Sequence, residues 1–188
     1  MAVSFSRVGV LAAVVAATAF LAAGCGSSKS SSGTVTPEDW ANNVCSAITT
    51  WTDSVRKTGN DLRAGNNVSK ASLNSAVDDF QSSTQQLADD LKGLGRPNTS
   101  AGKQAQASVE KLSGEIQTDA DTIKSEVKGA SGVAGLQKAL ANVGVTLTQM
   151  GEQVTNTFGE LGNLDAKGEL ESAFKKADKC SSLVKQSS

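Results

Sequence analysis

The residues of this chain best suited to covalent chemistry are its three cysteines, Cys25, Cys45 and Cys180. A thiol can be acylated, can form a disulfide or can bind a metal ion. The sequence contains no histidine, so it lacks the usual base of Ser-His-Asp and Cys-His catalysis and a common ligand of zinc and haem. We therefore predict no catalytic residue, no metal site and no cofactor, and we expect the cysteines to be modified rather than to catalyse.

Cys25 follows a segment with the anatomy of a secretory signal peptide. Residues 1–7 contain one side-chain cation, Arg7, and residues 8–23 form an uncharged apolar run. This run of 16 residues is shorter than the roughly 20 that a membrane-spanning helix needs. The small residues Ala22, Ala23 and Gly24 then lead into the cysteine. The pattern predicts that residues 1–24 are a signal peptide and that Cys25 begins the mature protein.

The stretch Leu21-Ala22-Ala23-Gly24-Cys25 resembles the lipobox of bacterial lipoproteins. It departs from the usual pattern because leucine normally stands three residues before the cysteine, where this chain has Ala22. The resemblance implies that Cys25 carries a diacylglyceryl thioether and fatty acid such as palmitate. Such a lipid would hold the protein on the outer face of the bacterial cell membrane. The alternative is an ordinary secretory signal cleaved near Ala23, which would leave Cys25 as a free thiol.

The segment after Cys25 is rich in serine and glycine. Residues 26–35 read GSSKSSSGTV, a composition typical of a flexible linker. We therefore predict a lipidated cysteine and tether over residues 25–35 and one helical domain over residues 36–188. The lipobox, the tether and the Ala/Val/Thr/Gly-rich composition together resemble small lipoproteins of Gram-positive, high-GC bacteria. This resemblance covers residues 1–35, and it assigns the domain that follows to no named family.

Charge limits the classes of partner. Once residues 1–24 are removed, 164 residues remain, with 17 Lys and Arg against 19 Asp and Glu. Nucleic-acid binding requires a clustered basic field, which this near-neutral balance does not supply, so no nucleic-acid partner is expected. Strong electrostatic adhesion to anionic lipid is disfavoured for the same reason. The remaining length suffices for one domain with a substantial core.

Cys45 and Cys180 are the two cysteines that remain if Cys25 carries lipid. An even pair in an oxidising compartment predicts a disulfide, and the alternative is two unpaired buried thiols. The bridge would close a loop of 136 residues, which in the chain-entropy relation stabilises the fold by about 5 kcal/mol. Both cysteines lie at the margin of an apolar helical stripe. The first and last helices are therefore expected to be neighbours.

Apolar residues recur at helical spacing over five segments, and no segment shows sustained strand-like alternation. The first helix is predicted to begin after the N-cap Thr36, with Pro37 at its first position, and to end at Gly59 and Asn60. The other four are predicted at about 69–94, 100–128, 133–161 and 165–184. We expect an all-α fold, an antiparallel four- to five-helix bundle whose terminal helices are joined by the disulfide.

Two tryptophans and one threonine stand out in these stripes. Trp40 and Trp51 lie 11 residues apart on the apolar face of the first helix. They are expected to anchor the core, and the alternative is a stacking surface for a sugar or lipid. Thr84 is the one polar residue in the heptad seam of the second helix.

The fourth helix has an apolar stripe that begins with Val133, Leu136 and Leu140, and it is interrupted by glycines. Gly144, Gly151 and Gly159 are expected to allow close approach of a neighbouring helix. The alternative is local flexibility that lets the bundle open.

Two motifs resemble functional signatures but fit poorly with a helical chain. Lys57-Thr58-Gly59 matches the K-T-G of penicillin-recognising serine enzymes, but that motif belongs on a strand and the S-D-N element is missing. Asp119 and Asp121 begin like a calcium loop, but its glycine and bidentate glutamate are absent. Both are interpreted as parts of solvated helix faces.

The leading functional hypothesis is a lipid-anchored extracytoplasmic binding protein without catalytic activity, with a protein of the envelope as its partner. A second hypothesis is a carrier of lipid or another apolar envelope molecule, for which an internal apolar pocket would be the structural support. A third is an immunity or exclusion lipoprotein of a phage or mobile element. An enzyme would have to rely on carboxylates alone, with a pair of inward-facing acids.

Overall fold

The fold is known from a computed structural model, which describes residues 34–64, 69–164 and 167–181. The predicted signal peptide, Cys25 and residues 26–33 of the predicted tether lie outside these residues. The end of the predicted fifth helix, residues 182–184, also lies outside them.

Five helices dominate the described chain. They are α1 (Pro37–Ala64), α2 (Lys70–Gly93), α3 (Gly102–Gly129), α4 (Gly132–Asn163) and α5 (Glu169–Lys176). A short helical segment at residues 178–181 follows α5. In the described part of the chain, no helix combines the length and the apolar character that crossing a membrane requires.

Neighbouring long helices run antiparallel, as their side-chain hydrogen bonds show. Between α1 and α2, the indole of Trp40 donates to the carbonyl of Gly95 and that of Trp51 donates to Thr84. Between α3 and α4, the amide of Gln153 donates to Asp119 and that of Asn142 donates to Glu126. In each case the later residue on one helix pairs with the earlier one on the other. The predicted all-α antiparallel bundle is confirmed.

The apolar stripes of α1, α2, α3 and α4 meet in one core, which Leu170 of α5 joins. Its largest fully buried side chains include Trp40, Ile48, Leu112, Ile116 and Met150. Trp51 is also buried, at 7% exposure, so the prediction that both tryptophans anchor the core is confirmed. Burying a side chain of this size stabilises the fold by about 1.5–3 kcal/mol relative to leaving it exposed.

Helix α1 continues beyond its predicted end. Gly59 and Asn60 lie inside the helix, which ends at Ala64. Glycine in a helix interior costs only about 1 kcal/mol relative to alanine. The Lys57 ammonium contacts the Asp61 carboxylate at 2.7 Å across this turn, an i,i+4 pair that favours the helical conformation. The predicted end was wrong because one glycine does not offset continued helix formation.

Helix α5 is shorter than predicted, and the chain bends after it. Ala177 adopts an extended conformation, with φ −68° and ψ 111°, between α5 and residues 178–181. The bend brings Cys180 to Cys45 of α1, and the two form a disulfide with a Cα–Cα distance of 5.0 Å. The predicted bridge and the predicted contact between the first and last helices are confirmed. The uninterrupted helix over 165–184 was wrong.

The last residues of the predicted tether are held against the domain. Thr34–Val35 forms a two-residue strand, β1, that pairs in parallel with β2 (Arg96–Pro97) in the α2–α3 connection. The amide of Asn98 also donates to the carbonyl of Val35 at 2.8 Å. The tether therefore enters the domain at a fixed point, at the end of the bundle where α1 begins.

Candidate functional site

The bundle is closed between α1 and α2, between α2 and α3, and between α3 and α4, but α1 and α4 make almost no direct contact. The short helix α5 lies between them at one end. There the ring of Phe174 packs against Trp40 of α1, with centroids 6.0 Å apart, and against Phe158 of α4, with centroids 5.4 Å apart. Beyond α5 the cleft between α1 and α4 continues, and no helix or strand among the described residues fills it.

This unfilled part of the cleft is a groove of about 1070 Å³, which we call the α1–α4 groove. It is lined by residues of α1 between Cys45 and Arg56, of α4 between Thr148 and Gly162, and of α5 between Glu171 and Lys175, together with Cys180. Its volume lies slightly above the roughly 300–1,000 Å³ typical of small-molecule sites.

Aromatic and sulfur-containing side chains form the apolar part of the lining. Phe158 and Phe174 are half-buried, as is Val154. The Cys45–Cys180 disulfide lines the groove at its α5 end. The disulfide is buried, whereas Val154, Phe158 and Phe174 leave part of their apolar surface open to the groove.

The threonines of the groove use their hydroxyl protons within their own helices. Thr52 donates to the carbonyl of Ile48 at 2.8 Å. Thr148 and Thr155 donate to the carbonyls four residues before them, each at 3.0 Å. A threonine hydroxyl has a single proton to donate. These three threonines therefore offer a guest methyl groups and acceptor oxygens, but no free hydroxyl donor.

Four charged side chains line the groove, two of each sign: Arg56, Glu152, Glu171 and Lys175. Arg56 contacts Asp53 at 2.9 Å, and Lys175 contacts Glu171 at 2.5 Å. The hydrogen bond and the positive charge from Lys175 lower the pKa of Glu171. Both pairs are exposed, so solvent screens them and each contributes little to the stability of the fold.

Glycines leave gaps between the side chains on the groove side of α4. Gly151 and Gly162 line the groove, and Gly144 lies on the same face, two helical turns before Gly151. A Cβ atom placed at Gly144, Gly151, Gly159 or Gly162 would meet no atom within 4 Å. The prediction that these glycines allow close helix approach was therefore wrong. Each costs α4 up to about 1 kcal/mol relative to alanine without any compensating contact in the fold.

The same face of α4 continues as exposed apolar surface toward the start of the helix. Val133 is 75% exposed and Leu140 is 40% exposed, whereas the sequence stripe predicted both in the core. That prediction failed because α1 does not pack against this half of α4. Val145, at 69% exposure, lies on a different side of the helix and does not extend the face.

The motifs that resembled enzyme and calcium sites have ordinary structural roles. Lys57-Thr58-Gly59 lies within α1. Asp119 accepts a hydrogen bond from Gln153, and Asp121 accepts one from Gln81. Within residues 34–64, 69–164 and 167–181 there is no cluster of three or more residues able to hold a metal ion.

The predicted site residues thus have different outcomes. Cys45 and Cys180 are brought together and border the groove, while Cys25 lies outside the described residues. Sequence reasoning missed the groove-lining role of Phe158 and Phe174, which it assigned to apolar stripes. A usable signal was present in the spacing of Gly144 and Gly151, because residues seven apart lie on one face of a helix and glycine leaves both positions without a side chain.

Comparison with protein-family models, with curated proteins and with solved structures found no match to this chain.

Proposed function

We propose that this chain is a binding protein of the bacterial envelope, without catalytic activity, that takes an apolar guest into the α1–α4 groove. The observation that carries the proposal is the groove itself, about 1070 Å³ of open space with an aromatic lining in an otherwise closed bundle. A concave apolar site with a few polar groups at its margin is the usual form of a small-molecule site. Among the hypotheses from sequence, the carrier of an apolar envelope molecule has the most direct support.

The proposal also places the protein at the outer face of the cell membrane. A lipid on Cys25 would hold the domain at the outer face of the cell membrane, and residues 26–33 would join the lipid to the domain. The chain enters the bundle at Thr34, at the end where Phe174 packs against Trp40. The groove extends from α5 toward Arg56, away from this entry point, so the tether would join the domain near the α5 end of the groove.

The test of the groove is whether the protein retains an apolar molecule. Residues 26–188 include every contact described for the fold, so this part can be secreted behind a cleavable signal and purified without detergent. Native mass spectrometry is expected to detect an added mass that organic solvent removes. A spectrum of bare protein alone, both after expression and after incubation with an envelope lipid extract, would contradict the proposal.

The test of the anchor is metabolic labelling with palmitate. The wild-type chain is expected to incorporate the label and to partition with membranes, whereas Cys25→Ser should do neither. Equal labelling of the two proteins would rule out Cys25 as the attachment point. This experiment is independent of the groove.

A second candidate function, docking of an envelope protein, has support from a separate observation. Val133 and Leu140 extend the groove face of α4 as exposed apolar surface, and surfaces of this kind often mark interaction sites. A photocrosslinker at Leu140 in intact cells is expected to capture a partner more efficiently than one at the exposed Glu110 of α3. Equal capture at both positions would count against a docking surface.

The immunity and carboxylate-enzyme hypotheses remain predictions to which the groove adds no support.

A further inference from the structure

The inference concerns the side of α4 that faces away from the core, and it goes beyond the proposed function. This helix has three charged residues among its 32, Lys138, Glu152 and Glu160, whereas α3 has nine among its 28. A helix that packs against a core on one side usually carries charged residues on the other. Helix α4 packs on α3 and, near its end, on α5, so the rest of its surface has unusually few charges for a surface in water.

Small and apolar residues make up the middle of this outward surface. Leu140 is 40% exposed and Val145 is 69% exposed. By helical geometry Ala141, Gly144 and Thr148 lie between them on the helix surface, and all three are exposed. We call these five residues the α4 outer face. The hydroxyl proton of Thr148 is donated to the carbonyl of Gly144 at 3.0 Å, so a second helix that packs here leaves no hydroxyl donor unpaired.

The charges beside the outer face form a symmetrical pattern. Lys138 lies seven residues before Val145, and Glu152 lies seven residues after it. Seven residues are close to two helical turns, so the three side chains lie on one line along α4, with each charge about 10 Å from Val145 along the axis. Both charged side chains are exposed, and neither forms an ion pair with another described residue.

This order of positive, apolar and negative side chains is complementary to its own reverse. In an antiparallel pair of α4 helices with a two-fold axis at Val145, Lys138 of each copy comes level with Glu152 of the other. In a parallel pair in register, charges of the same sign come level, which is unfavourable. A two-fold dimer requires one surface that complements itself in this way.

We propose that the α4 outer face binds a second copy of this chain, in an antiparallel two-fold dimer. Val145 of each copy lies at the axis, and Lys138 pairs with Glu152 of the other copy on both sides of it. Removal of the exposed apolar surface from water favours association, and the two ion pairs select the antiparallel orientation. Thr148 and Glu152 also line the α1–α4 groove, so the second copy borders the groove.

The test of the pairing is a charge exchange, followed by sedimentation equilibrium of residues 26–188. The wild type is expected to show a monomer–dimer equilibrium. Lys138→Glu and Glu152→Lys should each raise the dissociation constant of the dimer about tenfold, because each replaces two attractions by two repulsions. The double variant should restore the wild-type value. Glu110→Lys is the control, because Glu110 is exposed on α3, and it should leave the dissociation constant unchanged.

Restoration in the double variant is specific to contact between copies. Within one copy the two residues are about 21 Å apart along the helix, too far for the exchanged charges to compensate each other. Restoration therefore requires that each residue faces the other residue of the second copy. A double variant that dimerises no better than the single variants would overturn the antiparallel pairing.

The position of the axis is tested by Val145→Cys. Cys45 and Cys180 are joined in the native disulfide, so the introduced thiol is the only free one in residues 26–188. Mild oxidation is expected to convert this variant into a covalent dimer, because the two thiols meet at the axis. Glu110→Cys should remain monomeric under the same conditions. Equal crosslinking of the two variants would overturn the placement of Val145 at the axis.

Two further results would overturn the second copy as the occupant of the outer face. One is a wild-type protein that stays monomeric up to near-millimolar concentration. The other is a photocrosslinker at Val145 that captures a different envelope protein in intact cells and no second copy. Neither result bears on whether the groove retains an apolar molecule, which the mass spectrum measures separately.

Discussion

The indole Nε1–H of Trp51 donates a hydrogen bond to Oγ1 of Thr84 at 3.1 Å, between two buried side chains on neighbouring helices. This contact explains the single polar residue in the seam of α2. A buried indole N–H requires an acceptor. Thr84 supplies it, and it fixes the register of α1 on α2 at the same time.

Thr84→Val is therefore expected to destabilise the fold by about 1–3 kcal/mol, because the indole N–H is left buried without an acceptor. Thr84→Ser keeps the hydroxyl and is expected to retain more of the stability than valine does. Urea denaturation of the variants measures the difference. In a double-mutant cycle, Thr84→Val should cost less when Trp51 is already phenylalanine. Additive costs would mean that the hydrogen bond contributes nothing.

Glycines in this chain are expected to respond to alanine in opposite directions according to their surroundings. Gly144→Ala and Gly151→Ala place a methyl group in open space, so each should raise the free energy of unfolding by up to about 1 kcal/mol. Gly102→Ala is the contrasting case, because its Cβ would lie 2.1 Å from the carbonyl oxygen of Pro97. It should destabilise by about 1–3 kcal/mol.

Thermal denaturation of these three variants distinguishes the two roles. If Gly144→Ala and Gly151→Ala also destabilised the protein, a packing contact would explain why these positions are glycine. The open space beside them in the groove would then not be the reason. Stabilisation by Gly151→Ala together with weaker guest binding would show that the glycine serves the ligand rather than the fold.

The disulfide is expected to hold α5 in the cleft. Removing it with Cys45→Ala and Cys180→Ala should lower the free energy of unfolding by about 2–5 kcal/mol. An eight-residue helix is too short to persist alone in water. Hydrogen exchange should therefore show α5 losing protection while α2 and α3 keep theirs. Undiminished protection of α5 would mean that Leu170 and Phe174 suffice to dock it.

Stability is expected to change little between about pH 6 and 8, because the sequence contains no histidine. At the acid side, Lys175 lowers the pKa of Glu171 in the folded state. The stabilisation by this pair is therefore complete above about pH 4.3, the pKa of a glutamate in the unfolded chain. It is lost as the pH falls through the lower pKa that Glu171 has in the folded state.

Lys175→Met provides the check on this pH dependence. Its stability, measured by urea denaturation, should fall below that of the wild type by a constant amount above about pH 5, and the difference should vanish in stronger acid. Because the pair is fully exposed, the difference is expected to be small. A difference in stability between Lys175→Met and the wild type that grew toward low pH would contradict the conclusion that Lys175 lowers the pKa of Glu171.

The candidate site was only partly predictable, and α4 shows why. Its apolar spacing marked Val133 and Leu140 as inward-facing, and the same pattern gave Met150 and Leu161. The structure buries the second pair and exposes the first. Periodicity identifies the apolar face of a helix, but it does not say whether a neighbouring helix covers that face.

The sequence by itself determined the helical class, the burial of Trp40 and Trp51, and the pairing of Cys45 with Cys180. Each follows from local spacing or from the number of cysteines left to pair. Only the tertiary structure decided that α1 and α4 stay apart, that α5 fills one end of the cleft between them, and that Gly151 faces open space. These properties depend on the distance between elements far apart in the chain, which local residue preferences do not fix.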